Sequence, residues 1–515
     1  MIHSPGQPTS ALEQDPLVFQ FDEVGLAQAV GRSLGNGTTA RRQTTAPALW
    51  RRAWRWGLRH ALGATRWNRW QQNRRRRQGM AWLRRAMADS AKPVLVYVVP
   101  FDIWKLRTGG GQRIAGIAKT FSREFNVFVF TLARSGPGFA VRDLAEDCHL
   151  VAVPVGAEFI QRTQTLEAGT GLFAFIDYVE WLPDVQRVLE VAAAHASAWG
   201  FTHPTAWPVV RRYIRPECAV FYDAHDDYAQ FLQDAYGSDN PELSQRLVAL
   251  EYDVLKHVTT AAYCTEADLT AAKIRLEREA VSAPHSQPPR QTPPGGSAPM
   301  LVVPNGVDVA ACQLVVPSQA RQNRVTAGID RPIILFVGAH HKPNYEAVEF
   351  ILQELAPAFP HAIFAVMGMN LTAVRERGGA QPGNNVVFTG PLPEALKETI
   401  MALAEVALAP MVSGTGSSLK IPDYVAHGQV VIGTAIGMRG FTELAHYSSV
   451  MVTDDVRAAL ANSLRMLETN PQSFDKDCQA AREWVEKTLD WTAAAQPLLE
   501  AVRHKSAETI ALPSH

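Results

Sequence analysis

From residue 93 onward, short apolar runs bounded by turn residues alternate with stretches of helical period. Few architectures satisfy that pattern. Strands that read as unbroken apolar runs must be covered on both faces, and helices between them supply the cover, so the alternation predicts a doubly wound α/β fold. The first round opens with an apolar run at 93–100, then Gly109-Gly110-Gly111, a helix over about 112–124 and a strand at 126–131. Further runs lie at 150–153, 218–222 and 260–263. Six prolines in 281–299 mark a surface excursion. After the strand Leu301-Val302-Val303-Pro304 the pattern restarts, with strands at 332–337, 362–367, 385–388, 405–409 and 429–434 and helices from Asn344 and over 393–403. Two such halves joined near 308–330 predict a bilobed molecule with a cleft between the lobes. The expected division is a basic extension over 1–90, an N-terminal Rossmann-like domain over 91–307, a C-terminal one over 308–470, and helices over 471–515 that pack back across both.

Of the 515 residues, 47 % are hydrophobic, which is ample for two cores. No run of about 18 apolar residues offers a membrane-spanning helix. The first thirty residues lack the basic start and apolar run of a secretory signal. Five cysteines, Cys148, Cys218, Cys264, Cys312 and Cys478, are widely spaced and form no CxxC. A reduced, cytoplasmic setting is expected.

The formal charge of zero hides an asymmetry. Residues 1–90 carry fifteen Arg, no Lys and five acids, so the rest of the chain is acidic. Within 41–85 there are fourteen Arg, no acid and six Trp. Trp50, Trp54, Leu58, Ala61 and Leu62 form a helical stripe opposite Arg52, Arg55 and Arg59. An Arg-rich helix edged with indole suits an anionic membrane surface, where Arg meets phosphate and Trp sits at headgroup depth. A plain basic tail and single-stranded nucleic acid are the competing readings. No other nucleic-acid motif accompanies the arm, so nucleic acid is not expected as a partner.

The most informative stretch is 410–441. A strand leads into Ser413-Gly414-Thr415-Gly416-Ser417-Ser418, and a short helix carrying Lys420 and Asp423 ends at Gly428. Backbone amides, hydroxyls and a lysine one turn into the helix suit a diphosphate. Asp423 suits the diol of a ribose. After the next strand come Gly437-Met438-Arg439-Gly440-Phe441.

This segment resembles the donor-binding motif of GT-B glycosyltransferases of family 4, also called glycosyl transferases group 1. Asp423 stands at the family's acidic position in a "K-x-x-D-Y-x-A-x-G" form. Other segments agree in order: Gly109-Gly110-Gly111, Tyr222-Asp223-Ala224-His225-Asp226-Asp227, Leu250-Glu251 through Cys264-Thr265, Pro304-Asn305-Gly306-Val307-Asp308, and Phe336-Val337-Gly338 followed by Lys342-Pro343-Asn344. The resemblance covers 93–500. One departure stands out: Thr415 occupies the place of a first glutamate, which leaves the identity of the sugar open.

The resemblance implies a retaining, metal-independent glycosyltransferase with a nucleotide sugar as substrate and no cofactor. The acceptor would be a glycan or lipid-linked precursor of envelope polysaccharide at the cytoplasmic membrane face. It implies donor contacts from Gly110, Gly111, Gly338, Lys342, Gly414, Gly416, Ser417, Ser418, Lys420, Asp423 and Arg439. Lys420, His203 and His225 are the catalytic candidates. Asp226-Asp227 and His340-His341 are set aside as metal ligands, because this chemistry requires none. A nucleotide-sugar epimerase on the same fold and a non-catalytic binding subunit are the alternatives.

Overall fold

The computed structural model describes residues 64–106, 108–134, 138–164, 166, 170–228, 230, 241–282, 298–376 and 379–510. Strands β1 (Val94–Val99), β2 (Asn126–Ala133), β3 (Ala140–Ala145), β4 (Cys148–Pro154), β5 (Ala196–Thr202), β6 (Ala219–Ala224), β7 (Thr260–Tyr263) and β8 (Met300–Val302) form one sheet in the order β3-β4-β2-β1-β5-β6-β7-β8. Only the β3–β4 pair is antiparallel. Strands β9 (Ile333–Val337), β10 (Ile363–Met367), β11 (Val386–Gly390), β12 (Val406–Ala409), β13 (Val430–Gly433) and β14 (Val450–Val452) form a second, parallel sheet in the order β11-β10-β9-β12-β13-β14.

The apolar runs become strands because both faces are buried. Val94, Val96 and Val98 of β1 enter one core, and Leu95, Tyr97 and Val99 enter another on the opposite face. The chain moves outward from β1 through β2 and β4, then returns to lay β5 beside β1. The second sheet repeats this move between β9 and β12. Connections leave such switch points on opposite faces, so a crevice opens at the carboxyl ends of the strands. His203 follows β5, His225 follows β6, Gly338 follows β9, and the Gly/Ser loop follows β12.

The helices that bear on the site are α1 (Ala64–Ala88), α2 (Gly109–Phe121), α3 (Lys342–Phe350), α4 (Glu394–Met401), α5 (Lys420–Ala426), α6 (Asp475–Thr488) and α7 (Trp491–Ile510). Helix α6 packs on α5 in the C-terminal lobe, whereas α7 lies on α2 and against β5, β6 and β7 in the N-terminal lobe. Trp491 covers Gly116 so closely that a Cβ there would lie 2.1 Å from the indole. The chain thus crosses between lobes twice. The crossings are tied together where Val307 N donates to Leu489 O at 2.9 Å and Trp491 N donates to Val307 O at 3.2 Å.

The expected separation of a basic arm ending at 90 from the body is corrected for its second half. Helix α1 buries Leu83 and Met87 in the N-terminal core, with Met80 and Trp82 packed against it. Trp82 meets His149 edge-on with ring centroids 5.3 Å apart, and Arg76 lies 2.5 Å from Asp184. Met80, Leu83 and Met87 recur at i, i+3 and i+7, an apolar stripe that the surrounding arginines obscure. Arg74, Arg75, Arg77, Arg84 and Arg85 stay exposed on α1. The stripe Trp50, Trp54 and Leu58 lies outside the described residues, as does most of the Pro-rich insert. A second correction concerns α2, which begins at Gly109 rather than near 112, so the glycine triplet is its first turn and not a separate loop. The Thr108 hydroxyl caps it by accepting from Gly111 N at 3.2 Å.

Among the described residues no helix is long and apolar enough to cross a membrane. All five cysteines are buried and unbridged.

Candidate active site between the lobes

The loop between β12 and α5 takes its shape from glycine. Gly414 has φ +125° and Gly416 φ +64°, and the next lobe approaches so closely that a Cβ on Gly416 would lie 2.5 Å from Asp226 Oδ1. Arg439 braces the loop, donating from Nε to Gly416 O at 2.6 Å and from Nη1 to Gly414 O at 2.5 Å. Arg439, expected near phosphate, thus spends two of its donor nitrogens on the carbonyls of this loop. The Ser418 carbonyl accepts from Ile421 N at 3.1 Å, which starts α5.

Lys420 extends from this loop to Asn344 Oδ1 at 2.9 Å and lies 4.2 Å over the ring of Phe336. No carboxylate of the described residues pairs with it, and burial pushes its amine down to about 7. A half-buried cation lacking an anion is suited to a ligand that brings its own negative charge. Asn344 is fixed in turn by donating to Ala339 O at 2.9 Å, and its side chain fills the space beside Gly338. Lys342 is not part of this cluster. It is exposed at the start of α3, 3.9 Å from Glu346.

Asp423 lies on a different network from Lys420. Lys397 Nζ of α4 is 3.1 Å from Asp423 Oδ2. His427 is buried, donates to Asp423 O at 2.7 Å through Nδ1, and meets Glu398 at 3.1 Å through Nε2. Burial opposes a charge on His427, yet hydrogen bonds with Cys312 and Glu398 and the charge of Asp423 push it up to about 10. Cys312, Asp423 and His427 bring ligand-type atoms within 4.8 Å of one another, and Lys397 supplies the cation beside them.

In the N-terminal lobe, Asp223 is fully buried at the end of β6. Its Oδ1 accepts from Arg113 Nε at 3.0 Å and Nη2 at 2.7 Å. Its Oδ2 accepts from the Tyr97 hydroxyl at 2.5 Å and faces His225 Nε2 at 3.0 Å. Burial opposes its charge, but Arg113 and His225 hold the carboxyl well below the usual carboxylate range. His203 has φ +71°, a rare conformation for a residue with a side chain. Its Nδ1 lies 2.6 Å from Thr205 Oγ1, its Nε2 is buried without a partner, and burial, with His225 nearby, pushes the ring down to about 3. It is a neutral imidazole.

Polar contacts cross the cleft. Arg113 Nη1 donates to Val303 O at 2.8 Å and to Asn305 Oδ1 at 3.1 Å. Asn305 Nδ2 donates to both the carbonyl and the hydroxyl oxygen of Ser417 at 3.1 Å. One chain of bonds therefore runs from His225 through Asp223, Arg113 and Asn305 to the Gly/Ser loop. Sequence reasoning missed Arg113, Asn344 and Lys397, and gave Asp223 and Asn305 no role. Arg113 carried one signal: it is the only charged residue between Gly109 and Ala118, a stretch whose other polar side chain is Gln112. Lys397 carried none, because its partner lies 26 residues away.

Residues 331–470 match the family model described as glycosyl transferases group 1. No curated protein matches the chain. Sucrose-phosphate synthase from Thermosynechococcus elongatus is similar in structure, with 16 % identity, a TM-score of 0.60, and coverage of 81 % of this chain and 100 % of that one. The α,α-trehalose 6-phosphate synthase from Burkholderia multivorans is similar with 12 % identity and a TM-score of 0.52, covering 81 % and 100 %. Anabaena HepE, solved in complex with UDP, is similar with 14 % identity and a TM-score of 0.51, covering 80 % and 99 %. Identities this low speak to the shared fold, while the family match speaks to the lobe that carries Lys420. Residues 331–470 of the C-terminal lobe thus match the glycosyl transferases group 1 model, and the chain shares the two-lobed GT-B fold of these sugar-phosphate synthases.

Proposed function

We propose that the protein transfers a glycosyl unit from a nucleotide-sugar donor to a hydroxyl of a lipid-linked or other envelope glycan, with retention and without a metal, at the cytoplasmic face of an anionic membrane. The single observation that carries this reading is Lys420, a half-buried amine beside the Gly/Ser loop with no carboxylate partner among the described residues. A diphosphate leaving group gains charge as the glycosidic bond breaks, so a cation and amide donors fixed in advance stabilise that step most. Among proteins of similar fold, HepE is described in complex with UDP and the Escherichia coli trehalose-6-phosphate protein with UDP-2-fluoro glucose, which makes UDP-sugars the first donors to test. The exposed arginines of α1, together with the Arg- and Trp-rich residues before it, supply the charge for the membrane surface.

The test is a thermal-shift panel of UDP-, GDP-, ADP- and dTDP-sugars, followed by transfer assays with lipid-linked glycan and with hexose phosphate as acceptors. Stabilisation by one donor and transfer to the lipid-linked acceptor support the reading. Transfer to hexose phosphate alone would move the acceptor to the class named for the sucrose- and trehalose-phosphate synthases. Epimerised donor without transfer would make the protein an epimerase, and binding without any turnover a non-catalytic subunit.

A further inference from the structure

Resting on the transferase reading, we infer that Asp223 is a positioning residue that fixes the tautomer of His225, so that His225 presents the lone pair of Nδ1 to a substrate hydroxyl in the cleft. Every hydrogen-bonding group around Asp223 is a donor. Arg113 occupies Oδ1 twice, at 3.0 and 2.7 Å, and Tyr97 occupies Oδ2 at 2.5 Å. An ionised carboxylate only accepts, so the His225 Nε2 at 3.0 Å from Oδ2 must carry a proton. With the proton on Nε2, the neutral form of the ring has its lone pair on Nδ1.

The surroundings give that lone pair somewhere to act. A Cβ built on Gly110 would lie 3.1 Å from Nδ1 and 3.5 Å from Cε1, so the absent side chain at 110 is what leaves the space in front of the ring. The neighbouring His203, whose ring burial pushes down to about 3, has a buried Nε2 with no partner among the described residues. At the carboxyl ends of the adjacent strands β5 and β6, the buried His203 Nε2 is thus left for a polar group from outside the described residues, and His225 spends Nε2 on Asp223 with Nδ1 turned toward Gly110. Sugar hydroxyls are such groups. Asp223 itself is fully buried and does not reach the cleft, so it acts through His225.

The prediction is specific because an amide cannot replace this carboxylate neutrally. In Asp223→Asn, the two Arg113 donors keep an oxygen at the Oδ1 position, so the amide nitrogen faces His225. The Nε2 atom must then accept, and the proton moves to Nδ1. Long-range 15N–1H correlation on the full chain labelled with 15N-histidine reads this directly at pH 8, with His225 identified by its loss in His225→Gln. The expected result is Nε2 protonated and Nδ1 bare in the wild type, and the reverse in Asp223→Asn. Alongside this, Asp223→Asn should lower kcat at saturating acceptor by about tenfold, the scale of one lost hydrogen bond, with UDP affinity within about twofold of wild type. Gly110→Ala, which fills the space and leaves Asp223 intact, should lower kcat while keeping the wild-type tautomer. A wild-type His225 protonated at Nδ1 would overturn the proposal, and so would Asp223→Asn with wild-type kcat. If Asp223→Asn does not fold, the wild-type tautomer and Gly110→Ala still decide. A wild type that transfers no sugar would sink the transferase reading instead, and the tautomer measurement stands apart from that failure.

Discussion

Asp226 of the N-terminal lobe accepts a hydrogen bond from the hydroxyl of Thr415 of the C-terminal lobe at 3.2 Å. This contact places a carboxylate directly on the Gly/Ser loop between β12 and α5. Burial, with Asp268 nearby, pushes the Asp226 carboxyl up to about 6. The lobes meet this closely only because Gly416 lacks a side chain.

Gly416→Ala should therefore hold the lobes apart. Its φ of +64° disfavours any other residue, and the new methyl would lie 2.5 Å from Asp226 Oδ1. Small-angle scattering should show a larger radius of gyration than wild type, with weaker nucleotide-sugar binding. An unchanged radius with unchanged affinity would mean that closure does not depend on this contact.

Lys420 makes donor binding depend on pH. The diphosphate prefers the charged amine, whose free-state value is about 7. Below that pH the amine is already charged and affinity should be flat. Above it, binding must take up a proton, and affinity should fall by about tenfold per pH unit. Calorimetry in two buffers of different ionisation heat should show proton uptake at pH 8 and little at pH 6. Lys420→Met should abolish both the uptake and the slope, and turnover of the wild type should survive chelator. Proton-neutral binding at pH 8 would place the diphosphate elsewhere.

Asp423→Asn should weaken nucleotide-sugar binding by about 1–3 kcal/mol, the scale for a charged hydrogen-bond acceptor. It also leaves Lys397 and the His427 imidazolium short of an anion, so some loss of thermal stability is expected with it. Equilibrium binding of UDP alone against UDP-sugar separates the two effects. Wild-type affinity in the variant would remove Asp423 from the donor site.

Much of the fold was legible because both-face burial leaves an unmistakable trace: β1, β9 and β12 are apolar runs and nothing else. The placement of His225 and the Gly/Ser loop at the ends of strands followed from the same runs, whereas β5, which leads into His203, was not read as a strand. What escaped was whatever depends on two distant segments meeting. Arg439 sits 23 residues from the carbonyl it serves, and Asn305 sits 112 residues from Ser417. Neither local period nor residue type reports such a distance. Helix α1 escaped for another reason, since its three apolar anchors are outnumbered by arginine.

Leu83 is fully buried in the N-terminal core, so Leu83→Ala should cost about 2–5 kcal/mol in a denaturant melt. Deleting 1–90 should lower the melt as well, because it strips α1 from the N-terminal core. A 1–90 deletion as stable as the full chain would show that α1 does not contribute to the fold.

The arginines also bear on membrane attachment, and the same two-part structure fixes how to test it. If 41–85 meets an anionic surface, full-length protein should sediment with vesicles of acidic phospholipid and much less with neutral ones. Each Arg near such a surface is worth about 1 kcal/mol, and the effect fades within a Debye length, so binding should fall as salt rises. Deleting 1–63 removes Trp50, Trp54 and seven of the fifteen arginines that precede residue 90, but leaves the exposed Arg74, Arg75, Arg77, Arg84 and Arg85 on a helix docked to the N-terminal lobe. That variant should keep a weaker, more salt-sensitive attachment, since charge remains while the indoles at 50 and 54 are gone. Reversing Arg74, Arg75 and Arg77 to Glu in the same variant should abolish it without altering UDP affinity, because those side chains are exposed on α1 rather than bonded into the donor site. Equal sedimentation of all three proteins with acidic and neutral vesicles would refute the membrane surface as a partner.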